Sequence, residues 1–299
     1  MYKNLFQQTG LSLERLHTFC LVADAGGVTR AAGGDPTTQS LYSRQIKELE
    51  EYFGVELARR SGRGLVLTDS GKQLAEIVRQ QLSALTDFKA ECDKLPLKLT
   101  IAAGDSLMHW LLLPRLETLK KRLPNVAFVF LNLKSSEICK RLFEGTIDFG
   151  FVRDSGFSLP VKAATIGTMT HSLFVAKRAT GQTDVKKILA ELPLATLEGD
   201  GSFRRELATA FQKGGFRIQV DLECSSFPLI ARALKNCKTA AILPSIAKAE
   251  FDSDLVTEIK TPTLKRFDRK IVLAWNTRVS RIRSVVEKAL PILTAEMKF

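Results

Sequence analysis

The stretch GDPTTQSLYSRQIKELEEYFG, residues 34–54, is polar at its start and amphipathic along its length. Successive residues of an α-helix advance by about 100° around its axis. On such a wheel the apolar side chains share one side: Tyr42, Ile46, Leu49 and Phe53. The opposite side, near the helix start, carries hydroxyl and cationic side chains: Ser40, Ser43, Arg44 and Lys47. The sequence therefore predicts a helix over about 38–53 that packs by one face and presents the other.

The polar face of this helix has the residue types that read double-stranded DNA. Gln pairs with adenine, Arg and Lys pair with guanine or phosphate, and Ser and Thr bind either. Further such residues stand at the helix entry: Thr37, Thr38 and Gln39. Carboxylates follow at Glu48, Glu50 and Glu51 and repel phosphate, so we expect only the first turns to contact DNA, as in a recognition helix. Taken alone, the segment also fits an ordinary capped helix with a solvated polar face.

The segments on either side favour the recognition helix. Ser12 can cap a first helix that ends at the AGG of residues 25–27, and Thr29 can cap a short second helix. After Gly54, the run VELARRSGRGLVLTDSG predicts a hairpin. Three helices and a hairpin make a winged helix-turn-helix. Cations on the second helix and the hairpin are placed to contact DNA: Arg30, Arg60 and Arg63.

A long helix over about 70–92, capped by Thr68 or Ser70, follows the hairpin. Its apolar side chains form a stripe over several turns: Leu74, Ile77, Val78, Leu82, Leu85 and Phe88. A stripe of this length is typical of a helix that pairs with another helix. We therefore expect dimerisation through this helix, with packing onto its own chain as the alternative.

Beyond Pro96, short apolar runs alternate with helical patterns, which favours mostly parallel sheets. The predicted fold class is α + α/β, with a winged helix-turn-helix, a linker helix and a two-lobed α/β domain. We expect the DNA-binding domain over 11–69, the linker helix over 70–94 and the two-lobed domain over 97–299. Lobe I covers about 97–165 and 265–299, and lobe II about 166–264.

Composition limits the classes of function. The net charge is +12, yet residues 1–95 hold 12 Lys/Arg and 12 Asp/Glu, so DNA binding has to rest on the local placement of cationic side chains.

The five cysteines form no C-x-x-C pair and no His/Cys/Asp/Glu cluster has metal spacing, so we expect neither disulfides nor a metal. No nucleotide-binding glycine motif is present, so no cofactor is expected. The chain has no transmembrane run and no signal-like start, and we expect it in the cytoplasm without a membrane partner.

An enzymatic alternative rests on GDSL at residues 104–107, which matches the nucleophile block of a hydrolase class. Such a triad needs a late histidine as its base. The only histidines are His17, His109 and His171, so Ser106 lacks this partner and a helix-start role is favoured. We therefore expect no catalytic residues. A cytosolic ligand-binding protein is a second alternative for the two-lobed half, although the N-terminal helices argue against it.

The motifs TRAA and TTQSLYSRQIKELEEYFGVELARRSGRGLVLTDSG resemble the LysR-type transcriptional regulators, and LLLPRLETLKKRLPNVAFVF and LFEGTIDFGFV resemble that family's effector domain. The resemblance implies a DNA-binding homodimer or homotetramer that senses a small-molecule effector, such as a carboxylate, and that can contact RNA polymerase. It places four residues in the effector cleft: Ser106, Ser135, Ser202 and Phe203. The chain departs from the family at Asp35, where a buried Leu is usual, and we expect Asp35 to cap or turn.

Overall fold

The computed structural model describes residues 2–61, 64–199, 201–213 and 219–299. The first part holds three helices, a hairpin and a long helix: α1 Leu13–Ala25, α2 Val28–Ala31, α3 Pro36–Phe53, β1 Ala58–Ser61, β2 Gly64–Leu67 and α4 Asp69–Cys92. A short 3-10 turn, Lys3–Leu5, precedes them. This order confirms the predicted winged helix-turn-helix followed by a long helix.

Side-chain caps set the starts of three of these helices. The backbone N–H of Arg15 donates to Ser12 Oγ at 3.2 Å, and that of Gly71 donates to Thr68 Oγ1 at 3.0 Å, so both predicted caps are confirmed. The predicted cap at Thr29 is wrong, because α2 starts directly after Gly27 and carries no side-chain cap. Thr29 lies inside that helix, where no free backbone N–H is available to donate a hydrogen bond to its hydroxyl.

The small N-terminal core is built around the apolar side of α3. Ile46 and Leu49 are buried with Phe19 and Val22 of α1, and Tyr42 packs against this cluster. Phe53 was predicted on the same stripe but is 36% exposed, and it packs edge-on against Tyr52 with ring centroids 4.9 Å apart. The stripe is therefore confirmed for the first turns of the helix and is wrong at its last residue.

The stripe of α4 is divided between two environments. Val78 is buried against the rest of the chain, whereas Ile77, Leu85 and Phe88 are 48%, 49% and 65% exposed. One side of α4 therefore packs on its own chain, and the other side is not covered by any residue that the structure describes.

Two five-stranded sheets with flanking helices form the rest of the chain. The first sheet has the order β4-β3-β5-β12-β6, and the second has the order β11-β7-β10-β8-β9. The strands of the first are β3 Leu97–Ala103, β4 Val126–Asn132, β5 Phe149–Arg153, β6 Val161–Met169 and β12 Arg269–Asn276. Those of the second are β7 His171–Ala176, β8 Leu194–Leu197, β9 Val220–Cys224, β10 Ala240–Pro244 and β11 Val256–Ile259.

Helices cover both sheets: α5 Asp105–Leu107, α6 Leu116–Arg122, α7 Ser135–Glu144, α8 Val185–Glu191, α9 Ser202–Lys213, α10 Phe227–Asn236, α11 Thr277–Ile282 and α12 Ser284–Glu296. Further turns carry the chain between elements: the π-helical turn Met108–Leu112 and the 3-10 turns Leu113–Arg115, Ser245–Glu250 and Pro262–Phe267. Two segments cross between the lobes, one at Thr170 between β6 and β7 and one at Asp268 before β12.

The predicted fold class is confirmed, with differences in detail. Both sheets are mixed, because β12 runs antiparallel to β5 and β6, and β7 runs antiparallel to β10 and β11. The strands β6 and β11 have only a weak signal in the sequence, since VKAATIGTM and VTEI lack a strong apolar pattern. Pro114 lacks an N–H, and the chain between α5 and α6 accordingly forms a π turn and a 3-10 turn instead of one continuous helix. No described helix is long and apolar enough to cross a membrane.

Candidate DNA-binding and effector-binding sites

The start of α3 is formed by Asp35, which is the residue that departs from the family pattern. Its carboxylate accepts a hydrogen bond from the backbone N–H of Thr38 at 2.7 Å, and Pro36 occupies the first helical position. Both features favour a helix start. The hydrogen bond with Thr38 also lowers the pKa of Asp35. The expectation that Asp35 caps the helix is therefore confirmed.

The polar face of α3 is open to solvent. Ser40, Ser43, Arg44 and Lys47 are all exposed, as is Thr37 at the entry. Arg44 Nε lies 3.7 Å from Glu48, and Lys47 Nζ lies 3.8 Å from Glu51, with the two cationic side chains 69% and 76% exposed. Exposed pairs of this kind contribute about 0.2–1 kcal/mol at most, so a phosphate or base can replace the carboxylate.

The remaining predicted contacts lie around the same helix entry. Thr38 and Gln39 are half-buried, and the Thr29 hydroxyl donates to Gln39 Oε1 at 3.2 Å. The Arg30 guanidinium is exposed and donates to the carbonyl of Gly26 at 2.6 Å. These residues therefore form one surface with the exposed face of α3.

The wing is the hairpin of β1 and β2. Arg60 pairs with Leu65 in the β1–β2 ladder, and its side chain lies outside what the structure describes. Arg63, between the strands, lies outside the described residues. Arg59 is described, and its Nε donates to Glu56 at 2.5 Å.

In lobe I, the parallel strands β3, β4 and β5 end at the same edge of the sheet. Ligands of open α/β sheets bind outside the carboxyl ends of the strands. Ser106 lies in α5 directly after β3, and Ser135 is the first residue of α7 after β4. Ser106 is half-buried and Ser135 is exposed. The structure therefore places both predicted residues at the carboxyl edge of this sheet.

In lobe II, Ser202 begins α9 after β8, but its side chain lies outside what the structure describes. Phe203 is only 9% exposed and belongs to the lobe II core. Its ring packs against those of His171 and Phe227, with centroids 5.3 and 5.1 Å away, and against that of Phe267. Phe203 is thus part of an aromatic cluster in the core of lobe II.

Three charged residues that sequence reasoning missed meet between the lobes. Arg269, the first residue of β12, donates to Glu206 of α9 at 2.5 Å. Arg153 is the last residue of β5. Desolvation lowers its pKa, and the nearby charge of Arg269 lowers it further. Arg153 at the end of FGFVR and Arg269 near the start of DRKIVLAW are only a weak sequence signal for a charged site. The sequence does not show that these two strand ends meet.

His171 begins β7 and pairs with Pro244 at the end of β10. It therefore lies at the edge of the lobe II sheet where β10 ends. Burial lowers its pKa to about 4, and Arg269 and Arg153 act in the same direction. A backbone hydrogen bond with Phe267 opposes this shift. The imidazole is therefore neutral near pH 7.

The described residues offer no support for hydrolysis at GDSL. His109 Nε2 lies 3.5 Å from Glu250, and His171 packs among phenylalanine rings. Within the described part of the chain, neither forms a hydrogen bond with Ser106. No three His, Cys, Asp or Glu side chains of these residues are grouped so as to hold a metal ion.

A winged helix-turn-helix joined to a two-lobed domain defines a DNA-binding regulator with an effector-binding domain. Comparison with known families agrees with this architecture. Residues 13–72 match the bacterial regulatory helix-turn-helix proteins of the lysR family, and residues 95–288 match the LysR substrate binding domain. The chain therefore belongs to the LysR family of transcriptional regulators, which are as a class regulators rather than enzymes.

Individual relatives cover different shares of the chain. The transcriptional regulator PecT of Dickeya dadantii is 30% identical over 228 residues, which is 75% of this chain and 70% of PecT. The regulator YfeR of Shigella flexneri is 32% identical over 149 residues, 48% of each chain, so the matched part spans about half of that relative.

Solved structures share the fold. A full-length OxyR variant of Pseudomonas aeruginosa has a TM-score of 0.65 at 16% identity and covers 96% of this chain and 94% of its own. LysG of Corynebacterium glutamicum, solved with bound effector Arg, has a TM-score of 0.62 at 17% identity and covers 94% of this chain and 99% of its own. At these identities the likeness concerns the fold alone.

Proposed function

We propose that this regulator reads double-stranded DNA with the exposed face of α3. The observation that carries this proposal is the division of that helix, with Ile46 and Leu49 buried while Ser43, Arg44 and Lys47 are exposed near its N-terminal end. A recognition helix enters the major groove by its N-terminal residues. The contact set consists of Arg30, Thr37, Thr38, Gln39, Ser40, Ser43, Arg44 and Lys47 on the helices and Arg60 and Arg63 on the wing.

Arg44→Ala tests this proposal. Loss of one base contact is expected to weaken specific binding by about 1–3 kcal/mol, while loss of a phosphate contact at Lys47 weakens binding to all sequences alike. Lys121→Ala is the matched control, because Lys121 Nζ lies 3.7 Å from Glu117 in an exposed i,i+4 pair like that of Arg44 with Glu48. Footprinting on the chain's own promoter measures the effect, and undiminished protection by Arg44→Ala contradicts the assignment.

The cleft between the lobes is the proposed effector site, with Ser106, Ser135, Ser202 and Phe203 at its edges. Arg153 and Arg269 supply positive charge there, and the N-termini of α7 and α9 favour an anion. A small carboxylate is therefore the proposed effector. Thermal denaturation with a carboxylate library tests this, since a ligand of the folded state raises the melting temperature. Arg153→Gln is expected to lose the shift, and a shift that survives in that variant contradicts the assignment.

The exposed stripe of α4 supports a homodimer or homotetramer. Ile77, Leu85 and Phe88 leave apolar area in water that a second copy of α4 would cover. Leu85→Glu is expected to yield monomers in sedimentation velocity, with Leu113→Glu, an exposed leucine of lobe I, as the control. An unchanged sedimentation coefficient for Leu85→Glu contradicts assembly through α4.

The proposal links the two ends of the chain. An effector that binds two arrangements of the lobes unequally shifts the balance between them, and with it the spacing of paired DNA-binding domains or their contact with RNA polymerase. A protein whose partner is chromosomal DNA acts where the chromosome lies, and the cytoplasm is therefore its proposed location.

A further inference from the structure

A polar pocket lies beside the two segments that cross between the lobes. It has a volume of about 390 Å³ and contains Thr170 of one crossover and Asp268 of the other. Its other lining residues come from lobe II: His171, Ser172, Ser245, Lys260, Thr261, Pro262 and Lys265. Ligand pockets span about 300–1,000 Å³, so this hinge pocket has room for a small metabolite. It shares none of the four residues predicted for the effector cleft.

The hinge pocket carries uncompensated positive charge. Neither Lys260 nor Lys265 has an ion-pair partner among the described residues. Asp268 adds one carboxylate to the lining, which leaves one net positive charge. The nearby carboxylate of Glu258 is already engaged, because it accepts from Ser172 Oγ at 2.7 Å and lies 3.8 Å from Lys248 Nζ. The charge of the lining therefore favours an anion.

The two serine hydroxyls of the pocket, those of Ser172 and Ser245, favour a ligand that also donates a hydrogen bond. Ser172 uses its single proton toward Glu258, so Ser245 Oγ, 2.8 Å away, is the donor toward Ser172. Ser245 then has only lone pairs to offer to a ligand. A carboxylate alone finds no donor at Ser172 or Ser245, whereas a ligand hydroxyl finds an acceptor at Ser245.

His171 supplies a second unused acceptor. It is only 9% exposed, and its Nδ1 is buried without a hydrogen-bond partner in the described structure. Its neutral state leaves one ring nitrogen with a free lone pair. Buried polar atoms are almost always paired, and an unpaired one points to a place where a water, ion or ligand binds.

We propose that the hinge pocket binds a small hydroxy acid, whose carboxylate pairs with Lys260 and Lys265 and whose hydroxyl donates to His171 Nδ1 or Ser245. Because the pocket is lined by both crossover segments, its occupant contacts the parts of the chain whose conformation sets the angle between the lobes. The pocket adjoins the cleft, since the His171 ring packs against that of Phe203, but it shares none of the four predicted cleft residues. The site is thus a second input to the regulator.

Isothermal titration of the full chain with matched acids tests the ligand class. Each pair differs by one hydroxyl: L-malate against succinate, and lactate against propionate. The hydroxy acid of each pair is expected to bind about tenfold more tightly or better, since the unsubstituted acid leaves a buried acceptor unpaired. Equal affinities within both pairs, or no heat with any of the four acids, overturn the proposal.

Variants locate the binding. Lys260→Gln/Lys265→Gln is expected to abolish it, whereas Lys120→Gln/Lys121→Gln removes the same charge from the exposed side of α6 and is expected to leave it unchanged. The cleft variant Ser135→Ala, at an exposed residue of lobe I that does not line the hinge pocket, is expected to retain it, and loss of binding there assigns the ligand to the cleft instead. Operator binding by the Lys260→Gln/Lys265→Gln variant without ligand is expected to equal that of the parent, so failure of this proposal and failure of DNA recognition are distinguishable.

Nitrogen NMR of histidine-labelled protein gives an independent readout. The chain has three histidines, so His171 is assigned by subtraction using His17→Gln and His109→Gln. Malate is expected to shift the resonance of its unprotonated nitrogen, and succinate to leave it in place. If this resonance does not move at saturating malate, His171 does not contact the ligand. If malate also binds Ser245→Ala with unchanged affinity, the proposed hydroxyl contact is wrong.

Discussion

Arg283, between α11 and α12, joins the linker helix to lobe I, and its removal is the sharpest test of how the chain is held together. Its Nε and one terminal nitrogen donate to the carboxylate of Asp87 on α4 at 2.7 and 3.0 Å. The other terminal nitrogen donates to Asp148, whose second oxygen accepts from the backbone N–H of Thr100 at 2.8 Å. The Arg283, Asp87 and Asp148 side chains are 10%, 11% and 4% exposed.

The expected penalty follows from this burial. Arg283→Met keeps an unbranched side chain but leaves two buried carboxylates without a cation. Removing one partner of a buried ion pair costs about 3–5 kcal/mol, because the remaining charge stays desolvated. A domain of about 150–250 residues loses roughly 2–4 °C per kcal/mol, so the melting temperature should fall by roughly 6–20 °C. Arg281→Met is the control, because Arg281 is an exposed arginine two residues away.

The penalty should also depend on pH. Burial raises the pKa of Asp148, and Arg283 opposes that rise. Without Arg283 the pKa of Asp148 rises further, and a carboxyl whose pKa is higher in the folded than in the unfolded state favours folding more as pH falls. The difference in melting temperature between parent and Arg283→Met should therefore shrink as the pH falls below neutral.

Differential scanning calorimetry of the full chain measures both effects. Asp148→Asn in the Arg283→Met background should recover part of the loss, since it removes one uncompensated charge. A loss no larger than that of Arg281→Met, or a penalty that grows toward acid pH, refutes the reasoning.

Three further outcomes are expected. Asp35→Ala should lower the melting temperature of the DNA-binding domain at neutral pH, while Asp35→Asn should not. The difference between the parent and Asp35→Ala should vanish as pH falls through the lowered pKa of Asp35. Gly71→Ala should destabilise the chain by about 1–3 kcal/mol in urea titrations, because its Cβ would lie 1.9 Å from the Leu57 carbonyl oxygen, whereas Gly104→Ala meets no atom within 4 Å. Cys20, whose pKa burial raises to about 11, should resist thiol reagents at neutral pH until the chain unfolds, while exposed Cys92 reacts.

The DNA-binding half was largely predictable because its signals are local. Helical periodicity brings Ile46 and Leu49 to one side and Ser43 and Arg44 to the other, and a cap such as Asp35 acts within three residues of its partner. The failures in this half have local causes too, since α2 begins early enough to put Thr29 inside a helix and the end of α3 leaves Phe53 at the rim of a small core.

The amino-acid sequence alone determined the family, the fold class and the exposed face of α3, because these depend on patterns within a few turns of chain. Only the tertiary structure decided which distant charges meet. Arg283 and Asp87 are 196 positions apart, and Arg269 and Glu206 are 63 apart. No periodicity pairs residues at such separations. Removal from water strengthens these ion pairs and makes the unpaired nitrogen of His171 costly. These groups are removed from water only once the lobes have packed around them.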